Sequence, residues 1–111
     1  MCKKILIVDD DLNFVNRIID NCFEYDCSIA IASSISQAKS ILEEDQFDII
    51  VANTKVPGGN SAILKSKIKN ETKLLFMSSL NDSLFNDSLK NEPYIFKYDF
   101  INNFKGYLQS V

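Results

Sequence analysis

Ile5-Leu6-Ile7-Val8-Asp9-Asp10-Asp11 carries four consecutive apolar residues straight into three acids. Four residues are too few for a buried helix, and three of them are β-branched, so the run reads as a short strand covered on both faces, as in a parallel sheet. The acids then fall at the strand's carboxyl end, with Asp11 placed to cap a helix. Similar short runs recur at residues 47–52, 74–77 and 94–96. A weaker one, 27–32, alternates Cys27, Ile29 and Ile31 with Ser28, Ala30 and Ala32, and is predicted to lie nearer an edge.

Helical periodicity fills the intervals. Phe14, Val15, Ile18, Ile19 and Cys22 recur at three- and four-residue steps after Asp11. Ala38, Ile41 and Leu42 do so after Ser34 or Ser36. A third helix is predicted through Ala62, Ile63, Leu64 and Ile68 after the Pro57-Gly58-Gly59 turn, a short fourth over 80–89 and a fifth over 100–108. Five strand-helix units in succession predict an α/β fold with parallel strands, right-handed crossovers and helices on both faces. The 111 residues suit one domain, 1–111, with no linker or repeat.

Composition narrows the function. Twelve Lys and Arg against fifteen Asp and Glu give a net charge of -3, which argues against direct binding of nucleic acid, an activity that needs clustered positive charge. Lys65, Lys67 and Lys69 form a short run, but their spacing spreads them around a helix as a solvated face. The absence of His excludes every mechanism that needs an imidazole in this chain. Cys2, Cys22 and Cys27 lack the close pairs of a zinc site and fit free or buried thiols in a reducing compartment. No apolar stretch approaches the ~18 residues of a membrane span, so a soluble cytoplasmic protein without membrane contact is expected.

Ligands of open parallel sheets bind beyond the carboxyl ends of the strands, near the point where strand order reverses. Those ends carry Asp9-Asp10-Asp11, Asn53, Ser78-Ser79 and Lys97. In this ordered set the sequence resembles the receiver domains of bacterial two-component response regulators, and the match covers almost the whole chain. Residues 5–11 resemble the first strand and acidic pair, 47–60 the third strand and its loop, 74–79 the fourth strand ending in a hydroxyl, and 94–97 the fifth ending in lysine.

The resemblance implies a flavodoxin-like, doubly wound five-stranded parallel sheet of order 2-1-3-4-5 with five helices. It also implies phosphoryl transfer from a histidine kinase to an aspartate. Two carboxylates would hold Mg2+, a third would attack phosphorus in line, and hydroxyl and amine would bind the remaining oxygens. By that resemblance Asp9 and Asp10 take the metal positions, with the Lys55 backbone carbonyl as a further ligand; Ser78 and Lys97 line the pocket, and Tyr94 takes the aromatic switch position. The phosphoacceptor position, four residues before Pro57, is Asn53. A carboxamide has no nucleophilic oxygen able to form a stable acyl phosphate, so conventional transfer should fail. Asp48 is no substitute, being five residues back at the other end of the strand, ~16 Å away at strand rise. Two further departures from the family pattern are Tyr98 in place of proline after Lys97, and Ser61 in place of glycine after Asn60.

The sequence therefore reads as a stand-alone pseudo-receiver, not an enzyme, that works by phosphorylation-independent contact with a histidine kinase or another signalling protein. No cofactor is required on this reading, and any Mg2+ would be held weakly by Asp9, Asp10, the Asn53 amide oxygen and the Lys55 carbonyl. The resemblance places the contact surface on the fourth helix, fifth strand and fifth helix. On this reading no output domain is expected after residue 111, and any DNA binding would be expected from another chain. A second reading is a Mg2+-dependent phosphoryl-accepting or phosphatase-like protein using Asp9 or Asp10, for which Asp9-x-Asp11 supplies the spacing. A third is a receiver whose native aspartate has been replaced by Asn53. Individually the residues also have plain structural uses: Asp9 to Asp11 as a solvated turn and cap, Ser78 as a helix cap, Lys97 as a counter-ion, Tyr94 as packing.

Overall fold

In a computed structural model the described residues are 3–22, 27–53, 55–68, 72–78 and 94–96. They run in the order β1 (Lys3–Val8), α1 (Leu12–Cys22), β2 (Cys27–Ala32), α2 (Ile35–Glu44), β3 (Ile49–Asn53), β4 (Lys55–Val56), β5 (Gly59–Asn60), a 3-10 helix (Ser61–Lys67), β6 (Lys73–Ser78) and β7 (Tyr94–Phe96). The main sheet is parallel, in the order β2-β1-β3-β6-β7. Its body is the four strands β2-β1-β3-β6, each five or six residues long, and β7 adds three residues at one edge. The weakly patterned Cys27–Ala32 occupies the other edge.

Alternation along the strands divides the core in two. Leu6, Val8, Ile50, Ala52, Leu74 and Phe76 face α2, packing with Ile35, Ala38 and Leu64. Ile5, Ile7, Ile49, Val51, Leu75 and Met77 face α1, packing with Phe14, Val15 and Ile18. Strands covered on both sides need apolar residues at every position, which explains the uninterrupted runs in the sequence. α1 leads from β1 out to the edge strand β2 and α2 leads from β2 back past β1 to β3, and right-handed crossovers in opposite directions put the two helices on opposite faces.

The helix starts are made by side chains. Asp11 Oδ1 accepts from the backbone N–H groups of Asn13 at 3.1 Å and Phe14 at 3.3 Å, so it caps α1 as its position predicts. At α2 the cap is Ser34, whose hydroxyl accepts from the Gln37 N–H at 3.1 Å, while Gln37 Oε1 reaches back to the Ser33 N–H at 2.7 Å. Ser36, the other candidate, lies exposed within the helix. Ser34→Ala is accordingly expected to cost about 1 kcal/mol of stability, and Ser36→Ala within about 0.5 kcal/mol of nothing, as urea midpoints at unchanged m-value would register.

The third predicted helix is corrected in kind. Residues 61–67 form a 3-10 helix, in which positions i and i+3 eclipse. Ser61 and Leu64 are its fully buried pair at that spacing, whereas Ile63, read from the sequence as part of an α-helical stripe, is 53% exposed. Against the expectation of five helices, the described residues hold two α-helices and this tighter turn. The predicted helices over 80–89 and 100–108 lie outside the described residues, as do Lys97 and Tyr98.

Candidate functional site

Strand register assembles the site. Val8 pairs with Ala52 and Asn53 with Met77, so Asp9, Asn53 and Ser78 stand at the carboxyl ends of the neighbouring strands β1, β3 and β6. Adjacent strands lie ~4.8 Å apart, which makes these three positions one contiguous row. The row sits where strand order departs in two directions from β1, the usual ligand position of such sheets.

Asp9 is only 1% exposed. Its N–H donates to the Ala32 carbonyl at 2.9 Å, which continues the β1–β2 ladder by one residue. Its Oδ1 accepts from the Asp11 N–H at 3.0 Å, so the acid also shapes the turn that leads into α1. Asp9 Oδ2 and Asn53 Oδ1 are both shut off from solvent. Asp10, by contrast, is exposed, and Asp11 is engaged as the helix cap. The acidic triplet therefore contributes one buried carboxylate to the row, one surface acid and one cap.

The remaining predicted residues are placed as follows. Ser78 ends β6 opposite Phe96, the last residue of β7, and Lys97, next in sequence, lies outside the described residues. Tyr94 begins β7 opposite Phe76, two residues short of the strand-end row. Lys55 opens β4, two residues beyond Asn53.

The loop after Asn53 holds what the sequence reading missed. β4 and β5 pair as a small antiparallel hairpin around Pro57-Gly58, with Gly58 at φ 103° and Gly59 at φ 131°. Proline followed by a positive-φ glycine is the residue order of a type II turn. Ser61, fully buried, donates its hydroxyl to the Asn53 backbone carbonyl at 2.7 Å. The sequence signal was present, since Ser61 stands where the resembling family has glycine, but nothing in sequence alone named its acceptor.

Opposite this rim, at the amino ends of the strands, a separate polar cluster ties the sheet. The Asp48 N–H donates to the Lys4 carbonyl and Asp48 Oδ2 accepts from the Lys4 N–H, each at 2.8 Å, while the Asp48 carbonyl accepts from the Lys73 N–H at 3.1 Å. Lys4 Nζ pairs with Asp45 and lies 5.3 Å from the centre of the Phe47 ring. The Lys4 hydrogen bond, helped by the Gln46 N–H, holds the Asp45 carboxyl below its ordinary range. A carboxylate depressed in the folded state lends its support above the unfolded value and loses it as pH falls through the lowered one. Both partners are solvent-exposed, so the pair is a minor, salt-sensitive contributor.

Mg2+ prefers octahedral oxygen ligation. Asp9 has one oxygen already accepting from the chain and Asp10 lies at the surface, and among the described residues no three His, Cys, Asp or Glu side chains come together. Such donors do not fit a tightly held divalent ion.

No protein-family model and no curated protein matches the chain. Solved structures do. A CheY-like response regulator receiver domain from Methylobacillus flagellatus superposes at TM-score 0.81 with 16% identity, over 99% of this chain and 98% of that one. The receiver domain of a sensor histidine kinase from Pseudomonas aeruginosa, with a magnesium ion in its active-site cleft, gives TM-score 0.81 and 15% identity over 99% and 97%. TrrA from Thermotoga maritima, a response regulator in complex with Mg2+ and BeF, gives 0.76 and 19% over 97% of each chain. At such identities the likeness concerns the fold: the chain has the CheY-like, flavodoxin-like receiver fold. Among the described residues no helix is long and apolar enough to cross a membrane.

Proposed function

We propose that the chain is a pseudo-receiver, a receiver-fold protein that acts in signal transduction through protein contacts and not through an aspartyl phosphate or catalysis. The observation that carries this reading is Asn53, which ends β3 in register beside the buried Asp9, where the resembling family has its acceptor acid. An amide there supplies no nucleophile and removes one charged ligand, so no cofactor is needed and Mg2+ is held weakly, by Asp9 and Asp10 with help from the Asn53 amide and the Lys55 carbonyl. The partner is a histidine kinase or another signalling protein, as the relatives in fold suggest. Direct nucleic-acid binding is disfavoured by the net charge of -3.

The phosphatase-like alternative draws less support. Its nucleophile would be Asp9 or Asp10 and its second acid Asp11, yet Asp9 is buried in a turn and Asp11 is occupied capping α1. Incubation with acetyl phosphate and Mg2+, followed by intact mass measurement, separates the readings. Unmodified protein is expected, and a stable gain of about 80 Da, the mass of one phosphoryl group, would overturn the proposal. Partners captured from cells should be the same with and without acetyl phosphate.

A further inference from the structure

The hairpin after Asn53 is fastened at both ends. At its base the buried Ser61 hydroxyl holds the Asn53 carbonyl at 2.7 Å. At its tip the Pro57 carbonyl accepts from the Ile35 N–H at 2.9 Å, so the first amide of α2, one that a helix leaves without an internal acceptor, is satisfied by the loop. Gly58 sits against the same residue so closely that a Cβ added there would lie 3.0 Å from Ile35 Cβ, at a φ of 103° that other residues rarely adopt. Three independent features, a hydroxyl, a carbonyl and a glycine, thus join the carboxyl end of β3 to the start of α2.

We propose that Ser61 and Gly58 make this hairpin a fixed clasp, which keeps the end of β3 and the first turn of α2 in one arrangement. Glycine at position 61 would offer no hydroxyl, and this hold on the Asn53 carbonyl would be lost. The inference deepens the pseudo-receiver reading and rests on it for its purpose: a domain that recognises partners without a phosphoryl signal needs a face that is already set. The open groove beside the clasp, lined by Ile35, Lys39, Glu43 and Gly58 among others, has Gly58 in its wall, so the clasp fixes its shape.

Amide hydrogen exchange on the full chain tests the clasp. In Ser61→Ala the amides of Ile35 and Gly59 are expected to exchange about tenfold faster, the effect of losing one buried hydrogen bond, while those of Ile5 to Val8 change far less. Gly58→Ala should accelerate the same set from the other end. Should either variant fail to fold, wild-type protein in mild urea serves, and the Ile35 and Gly59 amides should then open together, below the global transition. Unchanged protection at Ile35, uniform acceleration across the sheet, or separate opening of the two amides would overturn the clasp. Each of these results leaves the mass test of phosphorylation untouched, so the two proposals fail separately.

Discussion

Phe76→Ala is expected to lower the unfolding free energy by about 3–5 kcal/mol, the range for deleting a buried aromatic ring. Phe76 is fully buried in β6, on the sheet face that packs against α2. Its register partner on β3 is Ala52, and Ala32 and Ala38 lie in the same cluster. The ring therefore stands beside a small side chain at Ala52, whose methyl group cannot reach in to close the cavity. Domains of this size are stable by only about 5–15 kcal/mol, so the loss is a large share of the total. Urea unfolding at unchanged m-value measures it directly. A loss under about 1.5 kcal/mol would mean that this face collapses around the deletion and is not closely packed.

Asn53→Asp should turn a quiet site into a strained one. The substitution sets a second carboxylate one strand away from the buried Asp9, roughly 5 Å off, where two like charges repel by about 3 kcal/mol at an effective dielectric of 20. A stability loss of about 1–3 kcal/mol near neutral pH is expected without divalent cation. One acid of the new pair would titrate higher in the folded than in the unfolded state. The deficit should then grow as pH rises above the unfolded value near ~4 and vanish below it. Millimolar Mg2+ should restore the lost stability, because the variant adds beside Asp9 a second carboxylate that the wild-type row lacks. Thermal or urea unfolding with Mg2+ and with EDTA reads the outcome, and equal stability of variant and wild type in EDTA would show that the two positions do not share a site.

Much of this architecture was legible because it follows from period and length. Ile5 to Val8 and residues 74–77 are too short and too apolar to be anything but inner strands, and Asp11 announced the start of α1 by side-chain chemistry alone. The 3-10 helix was not legible. Ile63 and Leu64 look alike in a sequence, and only the sheet decides that Leu64 goes inside, eclipsed with Ser61. The roles of the three acids split for a similar reason. Sequence puts Asp9, Asp10 and Asp11 side by side, but the end of β1 buries the first, exposes the second and spends the third on a helix. Pairing of Asn53 with the Ser61 hydroxyl spans eight residues through a hairpin whose course depends on Gly58 and its seat on Ile35.

The Asp48 cluster has a further consequence. One aspartate, through its backbone and side chain, cross-links the beginnings of β1 and β6 beside β3, while Asp9, Asn53 and Ser78 stand at the opposite rim. Anchorage and the proposed signalling site therefore stand on separate shores of the sheet. On the pseudo-receiver reading, a protein organised this way can carry an amide in place of an acid on one shore and keep its moorings on the other.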